Sequence, residues 1–149
     1  MTLIESIMRQ RGRCNVVEKI DHIGIVVRDL EKAIEAYSEG LGLDVKRVER
    51  SEEFQVKIAF IPVGEVLVEL LEPIGPGGIQ DFLDEHGEGL HHVCFRVKDI
   101  DRALKDIGGK LKLRDKKPRP GGAGSRVAFL DPRSICNVET ELVERKEEL

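Results

Sequence analysis

The sequence predicts an α+β fold in which two tandem βαβββ modules together form one cupped mixed sheet. The first observation behind this prediction is an internal repeat: residues 22–36 align with residues 92–106 at an offset of 70, with four of 15 positions identical. The second is that each copy begins with a β-branched run and continues with apolar residues at helical spacing. Together they indicate that one strand-and-helix unit occurs twice in the chain.

The repeat extends beyond its first block. Residues 57–61 (KIAFI) match residues 126–130 (RVAFL), and residues 68–72 (VELLE) match residues 140–144 (TELVE). Because two blocks recur in the same order at offsets of 69 and 72, a duplication explains them better than chance similarity between apolar strands. We therefore expect a single domain after an N-terminal extension, built of a first module, a linker helix and a second module. These parts are predicted at residues 1–19 for the extension, then 20–73, 74–88 and 89–145.

Within each module the predicted elements follow in the same order. A strand at residues 20–27 precedes a helix that Asp29 caps and Gly40 ends, since apolar residues recur at i, i+3, i+4 and i+7 between them. The second module has an equivalent helix that Gly108 and Gly109 end. A short helix is predicted at residues 79–86, after a linker rich in proline and glycine. The remaining strands are predicted at residues 44–50, 54–62 and 65–73, and at 110–116, 125–130 and 137–144.

The composition limits the classes of function. The chain has 149 residues, of which 40% are hydrophobic and 35% charged, and its net charge is −4, with 24 basic and 28 acidic residues. We expect no nucleic-acid partner, because such proteins present a basic face and this chain has only six aromatic residues to stack on bases. We expect no membrane span either, since no apolar run reaches about 18 residues. The cysteines Cys14, Cys94 and Cys136, with neither disulfide nor zinc-finger spacing, indicate a reduced, cytoplasmic protein.

Polar residues recur at equivalent positions of the two modules within otherwise apolar strands. His22 corresponds to His92, and Glu69 corresponds to Glu141. Because a duplicated module relates such residues by a pseudo-twofold axis, the four side chains can converge. An ionised carboxylate in an apolar strand needs a partner or a metal ion, and two imidazoles with two carboxylates suit Mn, Co, Ni, Zn or Fe. The repeat therefore predicts a metal centre inside the cup, with His22, Glu69, His92 and Glu141 as ligands.

Residues near this set have other predicted roles. Neighbouring residues of a strand point to opposite faces, so only one of His91 and His92 is expected to bind the ion, and the repeat register selects His92. His91 then lies on the opposite face or supports the ligand with a hydrogen bond. Cys94 shares the face of His92, where a packed thiol is the expected role. Residues 118–125 (PRPGGAGS) predict a glycine-rich loop over the site.

With these residues in place, the chain resembles the methylmalonyl-CoA epimerases of the vicinal oxygen chelate superfamily, which have the glyoxalase-like fold. The resemblance covers residues 19–145 and implies that His22, Glu69, His92 and Glu141 are the metal ligands. In some epimerases a proton-transferring glutamate stands at the position of Ile58 in this chain. Because isoleucine cannot transfer a proton, another group is expected to do so here. The matching stretches are residues 20–30 (IDHIGIVVRDL), 56–73 (VKIAFIPVGEVLVELLEP), 87–99 (GEGLHHVCFRVKD) and 126–132 (RVAFLDP).

The resemblance implies an isomerase that interconverts (2R)- and (2S)-methylmalonyl-CoA by proton transfer through a metal-stabilised enolate. It implies a divalent cofactor, with Co²⁺ first and Mn²⁺, Ni²⁺ or Zn²⁺ as alternatives, a small acyl-CoA substrate, and a homodimer. Glu141 is expected to be one proton-transferring group. The second stays open between Lys57, Glu49 and a metal-bound water, and the sequence identifies no residue that contacts CoA.

Other functions stay open at this stage. A lactoylglutathione lyase of the glyoxalase I type would use the same ligands, and the test between the two is the substrate, an acyl-CoA thioester or methylglyoxal with glutathione. A non-catalytic binding protein of the bleomycin-resistance type shares the fold but does not require four intact ligands. A dimer that a metal ion merely stabilises would unfold on metal removal without any turnover.

Overall fold

The computed structural model describes residues 1–9 and 16–149. Within these residues the structure has eight strands and four α-helices. The strands are β1 Val17–Val26, β2 Arg47–Ser51, β3 Val56–Val63, β4 Val66–Pro73, β5 Gly89–Val97, β6 Arg119–Pro120, β7 Arg126–Phe129 and β8 Thr140–Glu144. The helices are α1 Leu3–Arg9, α2 Leu30–Glu35, α3 Gly78–His86 and α4 Ile100–Gly108.

The strands form one mixed sheet whose order is β2-β3-β4-β1-β5-β8-β7-β6. In each half the first strand pairs in parallel with the last, β1 with β4 and β5 with β8, while β1 and β5 pair antiparallel at the centre. The order is therefore the same on both sides of the central pair, as a duplication requires. The sheet curls into a half-barrel, which confirms the predicted α+β fold with a cupped mixed sheet.

The two crossover helices begin in the same way because the same residue precedes each. Asp29 and Asp99 have nearly equal backbone angles, with φ of −136° and −137°, and each side chain accepts a hydrogen bond from the backbone N–H three residues later. Helix α2 continues as a π-helix over Ala36–Gly40, so the helical segment ends at the predicted glycine with a changed hydrogen-bond pattern. Helix α4 ends at Gly108, as predicted.

The two crossover helices, α2 and α4, lie on the opposite face of the sheet from the site. On the convex face, Ile100 and Leu104 of α4 pack against Ala128 and Leu142. On the concave face, an apolar cluster that includes Ile58 and other side chains of β3 and β4 lines one wall of the cup. Strand residues thus alternate between the helix face and the cup face. The recurring pairs His22/His92 and Glu69/Glu141 lie on the cup face, whereas Glu72 and Glu144 lie on the helix face.

The structure corrects one predicted strand. Residues 110–116 alternate between polar and apolar side chains, as in a strand, but form only an isolated bridge between Leu113 and Leu130. The backbone N–H groups of Arg114 and Asp115 both donate to the carbonyl of Phe129, and the Asp115 carboxylate accepts the Phe129 N–H. These local bonds occupy the groups that a regular ladder would need. A short strand that was not predicted, β6, takes the edge of the sheet instead.

The N-terminal extension contains helix α1, and β1 begins three residues earlier than predicted, at Val17. Cys14 lies outside the described residues, whereas Cys94 and Cys136 are free thiols. Among the described residues, no helix is long and apolar enough to cross a membrane. The division into an extension, two modules and a linker helix stays a prediction.

Candidate metal centre and active site

The structure brings the four predicted ligands together in the cup, one from each of the four central strands. The Nε2 atom of His22 lies 2.5 Å from Glu69 Oε2, 3.0 Å from His92 Nε2 and 3.4 Å from Glu141 Oε2. His92 Nε2 lies 2.9 Å from Glu141 Oε2. All four residues are at most 9% exposed. The repeat therefore selects residues that meet in space, although His22 and Glu141 are 119 positions apart in the sequence.

Two bulges place consecutive side chains around this cluster. In the pairing of β1 with β5, Asp21 is an extra residue between Ile20 and His22, and His91 is an extra residue between Leu90 and His92. A bulge turns the chain so that two successive residues lie on one face, which strict alternation would prevent. Each histidine thus has its preceding residue beside it. Two roles were predicted for His91, a place on the opposite face or a hydrogen bond that supports His92, and the structure shows the second.

Asp21 is the most heavily hydrogen-bonded group behind the cluster. Its fully buried carboxylate accepts from His22 Nδ1 at 2.7 Å, from Arg96 Nε at 3.0 Å, and from Arg145 Nε and a terminal guanidinium nitrogen at 2.9 and 2.7 Å. Burial alone would raise the pKa of Asp21, but these donors hold it well below its ordinary value. The bond to Nδ1 leaves the Nε2 lone pair of His22 directed at the cluster.

Arg145 connects this network to a second ligand. Its side chain is 4% exposed, and one terminal nitrogen lies 2.7 Å from Asp21 Oδ2 and 3.7 Å from Glu69 Oε1. The other oxygen of Glu69 points to His22. Arg145 follows β8, so a residue from the second half of the chain contacts the two acidic groups of the first half.

The second half of the centre has different neighbours. His92 Nδ1 lies 2.8 Å from His91 Nδ1, and burial together with the adjacent His92 lowers the pKa of His91 to about 4. His91 is therefore a neutral partner, in contrast to the anionic Asp21. Burial alone would raise the pKa of Glu141, but the imidazoles of His22 and His92 hold it well below its ordinary value, so this carboxylate is ionised.

The donor set fits a divalent metal ion. Donor atoms of His22, Glu69 and His92 all lie within 4.8 Å of one another. A metal–ligand bond of about 2.1 Å places neighbouring donors roughly 3 Å apart, and a set of imidazoles with carboxylates suits the transition metals in question. The backbone is also shaped for the cluster, because a Cβ atom at Gly24 would lie 2.1 Å from His92 Cε1. Only glycine leaves room there for the imidazole of His92.

A pocket of about 500 Å³ opens above the cluster. Its floor carries the four ligands and Arg145, and its walls are largely apolar. Gly121, Gly122 and Ser125 of the glycine-rich loop line it, as predicted for a loop over the site. Cys94 is fully buried below the ligands, where burial raises the pKa of its thiol, so it is the predicted packed thiol. The apolar wall is formed by Phe54, Val56, Ile58, Leu71, Ile79 and Phe129.

The two side chains considered for the second proton transfer lie on opposite faces. Lys57 is exposed on the convex side, next to Ile58 in β3 but facing away from the pocket. Glu49 pairs directly with Ile58 across β2 and β3, and its carboxylate accepts the Ala123 N–H at 2.5 Å. Lys57 is therefore excluded as a base by position, while Glu49 stays beside the pocket wall.

Sequence reasoning missed Asp21 and Arg145. A signal for Asp21 was present, because an acidic residue stands immediately before His22 in an apolar strand, at the position that His91 takes in the second copy. Nothing local marked Arg145, which lies in a charged C-terminal segment and contacts Asp21 across 124 positions of sequence.

Comparisons with known proteins agree with this geometry. Residues 21–129 match the sequence pattern of the glyoxalase/bleomycin resistance protein/dioxygenase superfamily. The ethylmalonyl-CoA/methylmalonyl-CoA epimerase of Cereibacter sphaeroides is 35% identical over 135 residues, which span 86% of this chain and all of that protein. A variant of Streptomyces coelicolor methylmalonyl-CoA epimerase, solved in complex with 2-nitronate-propionyl-CoA, superposes with a TM-score of 0.85 at 34% identity. The superposition covers 88% of this chain and 99% of that one.

The lyases are less similar. A probable lactoylglutathione lyase of Vibrio cholerae is 29% identical over 133 residues, which span 87% of this chain and 92% of that protein. The chain belongs to the glyoxalase/bleomycin resistance protein/dioxygenase superfamily, and its resemblance to the methylmalonyl-CoA epimerases of that superfamily is confirmed.

Proposed function

We propose that the chain is an isomerase, a methylmalonyl-CoA epimerase that interconverts the (2R) and (2S) forms by proton transfer at the carbon between the thioester and the carboxylate. The observation that carries this proposal is the convergence of two equivalent His/Glu pairs at the floor of an apolar pocket. The similarity to epimerases along most of the chain supports it. The proton is weakly acidic, so its removal needs a base and stabilisation of the resulting enolate.

We propose that His22, Glu69, His92 and Glu141 hold a divalent ion, with Co²⁺ first and Mn²⁺, Ni²⁺ or Zn²⁺ as alternatives. When bound, the ion supplies Lewis-acid stabilisation of the negative charge that develops on the substrate oxygens. The protein contributes the fixed orientation of the imidazole of His22 through Asp21. The apolar walls exclude water around the reacting carbon, which strengthens every electrostatic interaction within the pocket.

Glu141 is the group that we propose to move the proton. Its carboxylate is ionised and faces the pocket, and its ion-pair partners among the described residues are the imidazoles of His22 and His92. The carboxylate takes the α-proton, the C–H electron pair remains on the substrate as the enolate, and a proton returned to the opposite face completes the inversion. For that return, Glu49 and a water molecule stay as candidates, because Lys57 lies on the other face of the sheet.

The CoA portion has a place next to the pocket. A wider, open groove shares Phe54, Ile79 and Phe129 with the pocket and is also lined by Arg114 and Arg119. We propose that the thioester enters through this groove and that the pantetheine and phosphate groups lie along it, near the two arginines. Charge-reversal of Arg119, whose guanidinium stacks over Phe54 at 4.6 Å, is then expected to raise the KM for the acyl-CoA.

We also propose a homodimer and a cytoplasmic location. The dimer is supported by the resemblance to the epimerases, and size-exclusion chromatography with light scattering tests it. The location is supported by the free thiols of Cys94 and Cys136 and by the absence of disulfide spacing in the sequence. Fractionation of the source cells tests it.

The decisive experiment follows exchange of the substrate α-proton with deuterium by NMR, using purified protein, methylmalonyl-CoA and Co²⁺. Metal-free protein and Glu141→Ala serve as controls. We expect metal-dependent exchange with interconversion of the epimers in the native protein and loss of both in the controls. Absence of exchange in protein that demonstrably binds Co²⁺ would reject the epimerase and direct the assay to methylglyoxal with glutathione, the substrates of the lyase alternative.

A further inference from the structure

We propose that Arg145 is a positioning residue that fixes the His22/Glu69 half of the metal centre, so that Glu141 is the carboxylate free to transfer a proton. This inference rests on the proposed function, because it explains which of two equivalent glutamates does the chemistry. Arg145 is neither one of the four predicted metal ligands nor part of the apolar pocket wall.

The contacts of Arg145 give it two acidic partners at once. Its guanidinium makes a two-pronged contact with Asp21, through Nε at 2.9 Å and a terminal nitrogen at 2.7 Å, and the same terminal nitrogen lies 3.7 Å from Glu69 Oε1. The planar fork of arginine fixes the direction of a carboxylate as well as balancing its charge. Asp21 in turn fixes the ring of His22 through Nδ1. One buried side chain thereby orients both ligands of the first half.

Glu69 as a result has a neighbour at each of its oxygens, a close one at Oε2 and an ion-pair partner at Oε1. Oε1 faces the guanidinium and Oε2 faces His22 Nε2 at 2.5 Å, so rotation of the carboxylate would break a contact at either end. Glu141 has no such restraint. Among the ion pairs of the described residues, it contacts only His22 and His92, both through Oε2. Its other oxygen is therefore left to the pocket.

Arg96 provides the matched comparison. Its Nε also donates to Asp21 at 3.0 Å, and its side chain is 12% exposed, but it pairs with Glu148 instead of Glu69. If the arginines only neutralised the buried charge of Asp21, removal of either would have a similar effect on the metal centre. If Arg145 positions ligands, its removal acts on the centre much more strongly than removal of Arg96.

The test measures Co²⁺ binding without substrate, by titration followed in the visible absorption of the ion. We expect Arg145→Gln to weaken Co²⁺ binding by about 10- to 100-fold and to change the Co²⁺ spectrum, as loss of groups that orient metal ligands typically does. Arg145→Lys keeps the charge without the fork, and we expect it to share the spectral change. Arg96→Gln is expected to weaken binding less than about threefold. The fold-loss from Arg145→Gln should shrink in a Glu69→Gln background, since the two residues act together.

Each result is informative. Native affinity and an unchanged spectrum in both Arg145 variants, or equal losses in Arg145→Gln and Arg96→Gln, would overturn the inference. Circular dichroism and thermal unfolding of the metal-free variants separate misfolding from a specific effect, and Arg145→Lys preserves the buried charge if the glutamine variant fails to fold. Because the titration uses no substrate, weakened Co²⁺ binding supports the inference even if the native protein does not epimerise methylmalonyl-CoA, in which case only the proposed function fails.

Discussion

The two halves of the metal centre contain the same pair of residues but differ in what surrounds them. In the first half, His22 and Glu69 contact a buried network of Asp21, Arg145 and Arg96. In the second half, His92 contacts the neutral His91, and no arginine or lysine of the described residues pairs with Glu141. Duplication thus supplies four side chains with donor atoms, whereas the residues behind them differ, and on that difference rests the proposal of one fixed pair and one reactive pair.

The largest expected difference concerns the two glutamates. Glu141→Gln should lower the epimerisation rate by about 10²- to 10⁴-fold, the contribution typical of a positioned general base. Glu69→Gln should lower it by less than about tenfold, because an amide oxygen can still serve as a donor to the ion. Steady-state kinetics with saturating Co²⁺ measures both. Equal losses would mean that the two halves are chemically equivalent.

A second comparison substitutes Asp21 and His91, the residues that precede the two histidines. Asp21→Asn should lower the free energy of unfolding by about 3 kcal/mol or more, since it leaves the buried guanidinium of Arg145 without its carboxylate. His91→Gln should cost less than about 1 kcal/mol, because a half-buried neutral ring is replaced by another neutral side chain. Urea unfolding of the two metal-free variants checks this, and similar midpoints would contradict it.

Metal removal should affect the halves unequally. An ion at about one hundred times its Kd stabilises the folded state by about 2.7 kcal/mol, so chelation should lower the melting temperature. We expect the loss of hydrogen-exchange protection to be larger in β5 and β8 than in β1 and β4. The reason is that His22 and Glu69 have the buried Asp21 and Arg145 behind them, whereas the ion pairs of Glu141 among the described residues are with His22 and His92 alone. Uniform loss across the four strands would argue against preorganisation of the first half.

The smallest differences between the two modules are expected at residues that make the same contact in both. Glu72 accepts the Leu30 N–H at 2.6 Å, and Glu144 accepts the Ile100 N–H at 2.9 Å, so each glutamate binds the start of its module's helix. Substitution of either by glutamine should cost about 1 kcal/mol of stability, with closely similar values and native Co²⁺ affinity. Thermal unfolding and the Co²⁺ titration provide the measurements. A marked difference between the two would show that the asymmetry extends beyond the centre.

Much of this architecture could be predicted from local signals. The helix starts at Asp29 and Asp99 follow from capping chemistry, and the choice of the four converging side chains follows from the alignment of the two copies. The pattern of residues 110–116 led to a wrong strand, because alternation does not reveal that Asp115 binds the Phe129 backbone. Lys57, one of the predicted candidates for the second proton transfer, is excluded by its position, because it lies on the face of β3 opposite Ile58 and the pocket.

The sequence by itself determined the duplication, most of the strands and helices, and the four converging side chains, because each depends on spacing within a module or on the match between modules. Only the tertiary structure decided how those four differ. The bulges at Asp21 and His91 arise from the pairing of β1 with β5, two strands from different modules. Arg145 reaches Asp21 and Glu69 only because the curled sheet brings the end of β8 within reach of side chains on β1 and β4, although β5 lies between β8 and β1. Contacts of this kind depend on which distant strands pair, and the periodicity of residues along the chain does not indicate that pairing.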